Sequence, residues 1–263
     1  MSTPPPPMQQ SALPQEPAQP ALSEPARIIN TFVAPRKTFA DIQRKPGWIW
    51  PWLLIAAISI AFAFVAVQKL DMEQLVRQGI EHSAMAQRRM EQLTPDQRER
   101  GIAMQATITK VTFFIYPGLV LIGGIVVAAI LMAVFNFGFG AEVSFERALS
   151  VTIYSFLPGI VGAVLLLIST LISSDPNSID FGSGNPIPTS PAFFMDSNGN
   201  KFLYTLMSSI DLIRIWEIIL LGLGFAIVAS AARKKLSPST AITTIFVIYF
   251  VLAIARAGLA AAF

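Results

Sequence analysis

Five long apolar stretches alternate with polar segments along the 263-residue chain, at residues 48–67, 111–135, 149–172, 212–232 and 241–263. Each has about the 20 residues that an α-helix needs to cross the hydrocarbon core of a bilayer. Because lipid offers no hydrogen-bond partner to backbone polar groups, a spanning segment must be an α-helix or a strand of a closed barrel. The strands of a membrane barrel would be only about 10 residues long, with apolar and polar residues alternating, so these stretches are helices. The pattern therefore predicts an all-α, polytopic integral membrane protein: a bundle of five transmembrane helices with a helical extramembrane loop.

The chain begins with a proline-rich segment followed by a basic one. Residues 1–26 lack Lys and Arg and are predicted to form a disordered tail, whereas residues 27–263 form the membrane domain. Phe39 and Ile42 then share one face of a short helix among basic residues, which is typical of a helix in the lipid headgroup layer. The alternative is a plain span with positive flanks. The side chains predicted to lie at the membrane interface are Arg36, Lys37, Arg44, Lys45, Trp48, Trp50 and Trp52.

The long loop between the first and second spans carries helix signals. Met72, Val76 and Ile80 follow helical spacing. Thr94 and Gln97 have the pattern of a capping box, in which each residue satisfies a backbone N–H group at the start of a helix. Two helices are expected in this loop, and the second is expected to continue into the second span.

Composition and charge agree with a membrane location. Hydrophobic residues make up 53% of the chain and charged residues 13%, against about 25% charged residues in soluble domains. The net charge is only +3 and the basic residues flank spans, which indicates membrane orientation rather than nucleic-acid binding. The short segment at residues 232–237 is basic while the loop at residues 173–211 is net acidic, so the N-terminus is predicted to be cytoplasmic and the C-terminus outside. No apolar segment near Met1 suggests a signal peptide.

No pattern of catalytic, cofactor-binding or metal-ligating residues is present, so the protein is predicted not to be an enzyme and to need no cofactor. The chain has no Cys, and its single His, His82, is expected at an exposed helical position. Residues 196–200 resemble part of a calcium loop. However, an EF-hand loop has Gly at its sixth position and Glu at its twelfth, whereas Gly199 is at the fourth position and no Glu is at the twelfth.

Ionisable residues lie in or beside the last two spans. Asp211, Arg214 and Glu217 are spaced three residues apart at the start of the fourth span, and Arg256 lies in the fifth. Such charges are costly in lipid and are usually paired. At 1.5 Å per residue, Glu217 would lie about 8 Å and Arg256 about 10 Å below the same membrane surface. An ion pair between Glu217 and Arg256 is predicted, with Arg214 balancing Asp211. The alternative is that each side chain reaches the surface independently.

Three segments carry motifs of a known family. A Phe-x-x-Pro-x-x-x-Phe pattern precedes the first span, a Tyr-Ser-x-x-Pro pattern lies in the third, and a Trp and a Gly lie in the fourth. The motif residues are Pro35, Phe39, Tyr154, Pro158, Trp216 and Gly222. Together with five spans, they resemble the Ypt-interacting protein (Yip) domain family of membrane proteins, bacterial-type branch. The resemblance implies a cytosolic N-terminus and a location in the bacterial inner (plasma) membrane.

These observations predict a non-enzymatic multi-pass membrane protein that organises or recruits partners at the membrane through its N-terminal segment. Its partners would be the lipid bilayer and other membrane or cytosolic proteins, with no nucleic acid. The alternative is a small-solute transporter or channel component built around Glu217 and Arg256. A transport path needs polar side chains from several spans, and the first two spans offer almost none, which favours the binding role.

Overall fold

The structure is a computed structural model that describes residues 21–197, 199–229 and 236–262. These residues are mostly helical and contain no strand, which confirms the all-α prediction. The helices are α1 (Glu24–Val33), α2 (Pro35–Arg44), α3 (Ile49–Lys69), α4 (Met72–Glu81), α5 (Ala84–Glu91), α6 (Pro95–Phe139), α7 (Phe145–Ser155), α8 (Gly159–Ile172), α9 (Lys201–Ser208), α10 (Leu212–Val228) and α11 (Pro238–Ala262). Two short 3-10 helices, Pro176–Ser178 and Pro191–Phe194, lie in the loop between α8 and α9.

Four helical segments among the described residues are long and apolar enough to cross a membrane: α3, α6, the α7–α8 pair at Phe145–Ile172, and α11. They correspond to the first, second, third and fifth predicted spans. The fourth predicted span corresponds to α10, which has 17 described residues. At 1.5 Å per residue this is about 26 Å, slightly less than the hydrocarbon core. Predicted span residues 230–232 lie outside the described residues. The structure therefore supports a multi-pass membrane protein but does not establish five spans.

Helix α10 has more buried residues than any other helix in the described part of the chain, and it packs against α2, α7, α8 and α11. Two glycines allow its neighbours to approach closely. A Cβ atom at Gly222 would lie 2.5 Å from the Cα of Ile242 in α11, and one at Gly224 would lie 2.5 Å from the Val151 side chain in α7. Small residues at such positions bring helix backbones together, which is a main source of packing energy in membranes.

Prolines shape the second and third spans. Helix α7 ends at Ser155 and α8 begins at Gly159, because the ring of Pro158 interrupts the helix. Pro117 stays inside α6, and its carbonyl accepts a hydrogen bond from the indole N–H of Trp52 at 3.0 Å. Trp52, predicted to lie at the membrane interface, is therefore half-buried between α3 and α6.

The loop after α3 follows its sequence signals in part. Thr94 and Gln97 form the predicted capping box, and α6 continues from it into the second span as expected. Met72 and Val76 of α4 are buried in one cluster with Ile102 of α6. The loop holds α4 and α5 ahead of α6, so it contains one helix more than expected.

Helices α1 and α2 form a hairpin that turns at Ala34 and packs against α7 and α10. Phe39 and Ile42 are fully buried in the main core. The apolar face of α2 therefore contacts the bundle, which corrects the expectation that this face lies in lipid headgroups. Helix α1 begins at Glu24, inside the predicted tail at residues 1–26, because the Ser23 side chain caps it.

Candidate functional site

A buried ion-pair network joins α1 to α2 and to α7. Arg27 and Asp41 are each only 1% exposed, and Arg27 Nε donates a hydrogen bond to Asp41 Oδ2 at 2.6 Å. The same guanidinium donates to Glu24 Oε1 at 3.1 Å and to the carbonyl of Lys45 at 2.9 Å. The Tyr154 hydroxyl of α7 donates to Glu24 Oε2 at 2.8 Å. The start of α1, the end of α2 and the middle of the third span are thus connected by hydrogen bonds.

The network satisfies its buried charges. Asp41 Oδ1 also accepts from the backbone N–H of Leu22 at 3.3 Å and from Arg44 at 2.9 Å. Burial lowers the pKa of the Arg27 guanidinium, but the hydrogen bond to Asp41 and the charges of Glu24 and Asp41 outweigh it, so the pKa lies above its ordinary value. Arg27 therefore stays charged, and removing its partner would leave a buried charge.

The sequence pattern did not reveal this network. Arg27 reads as one of the charges that flank the first span, whereas the structure buries it. A signal was nevertheless present: Glu24 with Arg27, and Asp41 with Arg44, are each three residues apart, which is the spacing of ion pairs on one helix face. What the spacing does not show is that the two pairs meet across a helical hairpin.

The motif residues gather around this hairpin and α10. Pro35 is the first residue of α2. The ring of Phe39 lies 3.0 Å from the position that a Cβ atom would take at Gly224. Trp216 of α10 contacts Phe32 of α1 edge to face, with ring centroids 5.6 Å apart. Most of the family motif thus describes how the hairpin packs on α7 and α10.

The hairpin exposes both apolar and basic side chains. Ile29 and Val33, on one face of α1, are 61% and 73% exposed. The exposed basic side chains on α2 and just after it are Arg36, Lys37, Arg44 and Lys45. Exposed apolar and basic side chains on one short hairpin are typical of a surface at the lipid headgroup boundary. We call these six residues the hairpin face.

The predicted interfacial tryptophans divide into two groups. Trp50 is 59% exposed. Trp48 and Trp52 are half-buried, and their rings contact each other with centroids 6.4 Å apart. Only Trp50 therefore presents most of its ring outside the bundle.

The charged strip lies at the start of α10. The Asp211 side chain caps the helix by accepting from the backbone N–H of Arg214 at 3.0 Å, and it also accepts from the Thr189 hydroxyl. Arg214 Nη1 donates to Glu217 Oε2 at 2.6 Å. The strip is therefore an ion-pair and capping arrangement within one helix, joined to the preceding loop.

The predicted pair between Glu217 and Arg256 is not formed. Glu217 pairs with Arg214, while Arg256 is exposed and, like His82, lines a different cavity that does not include Glu217. The reason is where the helices meet. Gly222 of α10 contacts Ile242 of α11. At 1.5 Å per residue, Glu217 lies about 8 Å from this contact along α10, whereas Arg256 lies about 21 Å from it along α11. The two charges are at different heights in the bundle.

The placement of His82 also differs from expectation. It ends α4, and its ring nitrogens lie 3.0 Å from Asp180 Oδ1 and 2.7 Å from Ser197 Oγ. Lys201 Nζ donates to its carbonyl at 3.1 Å. His82 thus connects α4 to the loop before α9 instead of facing solvent on a helix. Within the described ranges, no group of three or more His, Asp or Glu side chains could bind a metal ion.

A cleft lies beside the charged strip, between α3, α6, α8 and α10. Its walls include Ser59 of α3, Tyr116 of α6 and Gly159 of α8, together with Arg214 and Glu217. The first two spans were expected to offer almost no polar side chains, but Ser59 of the first and Tyr116 of the second line the cleft.

Comparison with known proteins gives one match. The family profile described as Yip1 domain matches residues 29–255, which include most of the hairpin, the bundle and both long loops. Searches of curated proteins and of solved structures give no significant match.

Proposed function

Since the chain belongs to the Yip1 domain family, we propose that it is a non-enzymatic, multi-pass membrane protein that organises or recruits partners at the membrane through its N-terminal hairpin. Helix α10 crosses the bilayer as a fifth span, the N-terminus is cytoplasmic and the C-terminus is outside, in the inner membrane of a bacterium. The family match and the apolar helices support the membrane location, and the charge bias of the short loops supports the orientation.

The observation that carries this proposal is the fixed position of the hairpin face. The buried Arg27–Asp41 pair and the burial of Phe39 hold α2 on the bundle, so Arg36 and Lys37 project from a rigid support. A pre-organised surface loses less conformational entropy on binding than a flexible segment. Basic side chains at a membrane surface attract anionic headgroups and acidic protein surfaces.

Photo-crosslinking in native membranes tests this role. A photoreactive residue at Lys37 should give discrete crosslinked proteins, and the yield should fall when Arg36 and Lys45 are changed to Gln, because the attraction is electrostatic. The matched control is a photoreactive residue at Arg88, an exposed basic position on α5. Equal crosslinks from Lys37 and Arg88, or a yield from Lys37 that is insensitive to the two substitutions, would contradict the proposal.

A second candidate function, a small-solute transporter or channel component, draws on the cleft. It requires that the cleft open to both sides of the membrane during turnover. The chain has no Cys, so Ser59→Cys provides a single thiol in the cleft wall. Reaction of that thiol with membrane-impermeant reagents from both sides would support transport, whereas reaction from one side or from neither would contradict it.

A further inference from the structure

The cleft beside the charged strip has two parts of different character. The larger part, about 470 Å³, borders the strip and the loop residues Asn185 and Thr189. The smaller part, about 270 Å³, runs among apolar side chains of α3, α6 and α8 that include Ile55, Val120 and Ile160. Both parts share Ser59, Tyr116, Gly159, Ala163, Arg214 and Glu217 as wall residues. The cleft therefore offers a polar end and an adjoining apolar end.

Polar atoms of the strip face the cleft without protein partners. The Glu217 side chain is only 8% exposed, and its Oε2 is paired with Arg214 Nη1. Its other oxygen, Oε1, makes no hydrogen bond within the described part of the chain and lies 3.2 Å from the position of a Cβ atom at Gly159, which lines both parts. Among the described residues, Arg214 donates to a side chain only through Nη1, so its Nε and Nη2 groups can donate to a ligand. A carboxylate oxygen of a largely buried side chain that has no protein partner is stabilised when a ligand in the cleft donates a hydrogen bond to it.

These free atoms select the charge of the occupant. The carboxylate oxygen attracts a cationic donor, and the guanidinium N–H groups attract an anion a few ångströms away. A simple anion would be repelled by Glu217 and Asp211, and a simple cation by Arg214. A group that carries both charges close together satisfies both sides, with a primary ammonium on Glu217 Oε1 and a phosphate oxygen on Arg214.

We propose that the cleft binds one phospholipid with an ethanolamine-type headgroup. Its ammonium and phosphate contact Glu217 and Arg214, and part of an acyl chain occupies the smaller apolar part of the cleft. Glu217 lies about 8 Å along α10 from its first residue, a depth that a headgroup and its glycerol can reach. This inference is independent of the recruitment role, because it involves neither the hairpin face nor its partners.

The test is lipid retention by the full chain, purified in detergent after equilibration with vesicles that contain equal amounts of phosphatidylethanolamine and phosphatidylcholine. The two headgroups differ in that the quaternary ammonium of phosphatidylcholine cannot donate a hydrogen bond. Native mass spectrometry should show the ethanolamine lipid retained about tenfold over the choline lipid. Glu217→Gln should abolish the preference, and Arg256→Gln should leave it intact, because Arg256 lines a neighbouring cavity that shares Asn185 with the cleft but includes neither Glu217 nor Arg214.

A second variant and a competitor complete the test. Ala163→Phe places a ring in the shared wall without changing a charge, so it should lower retention of both lipids while the protein still folds. Free phosphoethanolamine should compete poorly, because it lacks the acyl chain. Equal retention of the two lipids by the natural protein, an unchanged preference in Glu217→Gln, or full competition by free phosphoethanolamine would overturn the proposal. The last result would indicate a small-solute site instead.

Discussion

Replacing Arg27 by Met should destabilise the folded protein more than the loss of any exposed charge on the hairpin. Arg27 is 1% exposed and makes three hydrogen bonds, to Asp41, to Glu24 and to the carbonyl of Lys45. Met has nearly the length of the Arg stem but no donor. The substitution therefore removes the polar contacts of the network while it retains most of the packing.

The magnitude depends on what remains around Asp41. Breaking a buried ion pair typically costs about 3–5 kcal/mol, because the remaining charge is left without a partner. Here Asp41 keeps Arg44 and the backbone N–H of Leu22, so the lower end of that range, about 3 kcal/mol, is expected. Arg44→Met is the matched control. The Arg44 side chain is 49% exposed, and Asp41 keeps Arg27 when Arg44 is replaced, so a cost near that of an exposed pair, about 0–1 kcal/mol, is expected.

The assay is equilibrium unfolding of the purified protein in mixed micelles with increasing sodium dodecyl sulfate. Tryptophan fluorescence suits it, because Trp216 contacts Phe32 of the hairpin and the other three Trp residues follow the hairpin closely in sequence. The free energy of unfolding of Arg27→Lys should lie between those of the natural protein and Arg27→Met, because an ammonium cannot make three contacts in the geometry of a guanidinium. A cost for Arg27→Met no larger than that for Arg44→Met would refute the reasoning that the network stabilises the hairpin on the bundle.

Two further predictions concern α10. Gly222→Ala should cost about 1–3 kcal/mol in the same unfolding assay, because its Cβ would lie 2.5 Å from Ile242. Gly123→Ala, in a helix and with nothing within 4 Å, should be neutral or slightly stabilising, and equal costs for the two variants would argue against close packing of α10 on α11. In double-mutant cycles, Glu217→Gln should be non-additive with Arg214→Gln and additive with Arg256→Gln, because Arg214 is the ion-pair partner of Glu217 among the described residues. The reverse pattern would restore the pair between the two spans.

The spans could be predicted from the sequence because each depends on a local property. A run of about 20 apolar residues is long enough to cross lipid whatever its neighbours are, so α3, α6, the α7–α8 pair and α11 match their predicted positions. The capping box at Thr94 is equally local. Helix α10, with 17 described residues, falls short of that length.

The candidate site could not be predicted in the same way, because it depends on where helices meet. Arg27 and Asp41 are 14 residues apart, and only the turn at Ala34 and the packing of two helices bring them together. Similarly, the three-residue spacing of Arg214 and Glu217 was visible in the sequence. The contact of Gly222 with Ile242 sets Arg256 at another height, and no feature of the sequence alone shows that contact.

Thiol labelling from one side of the membrane tests the central claim most directly, namely that the hairpin face lies at the cytoplasmic surface and α10 crosses the bilayer. Single cysteines at Lys37, Ser178 and Ser237 occupy exposed positions on the hairpin, on the loop between α8 and α9 and on the segment before α11, in a chain without any other Cys. In intact cells, a membrane-impermeant reagent should label the cysteine at Ser178 alone, and permeabilisation should expose the other two. Labelling of Lys37→Cys in intact cells, or the same accessibility for Ser178→Cys and Ser237→Cys, would contradict the proposed topology.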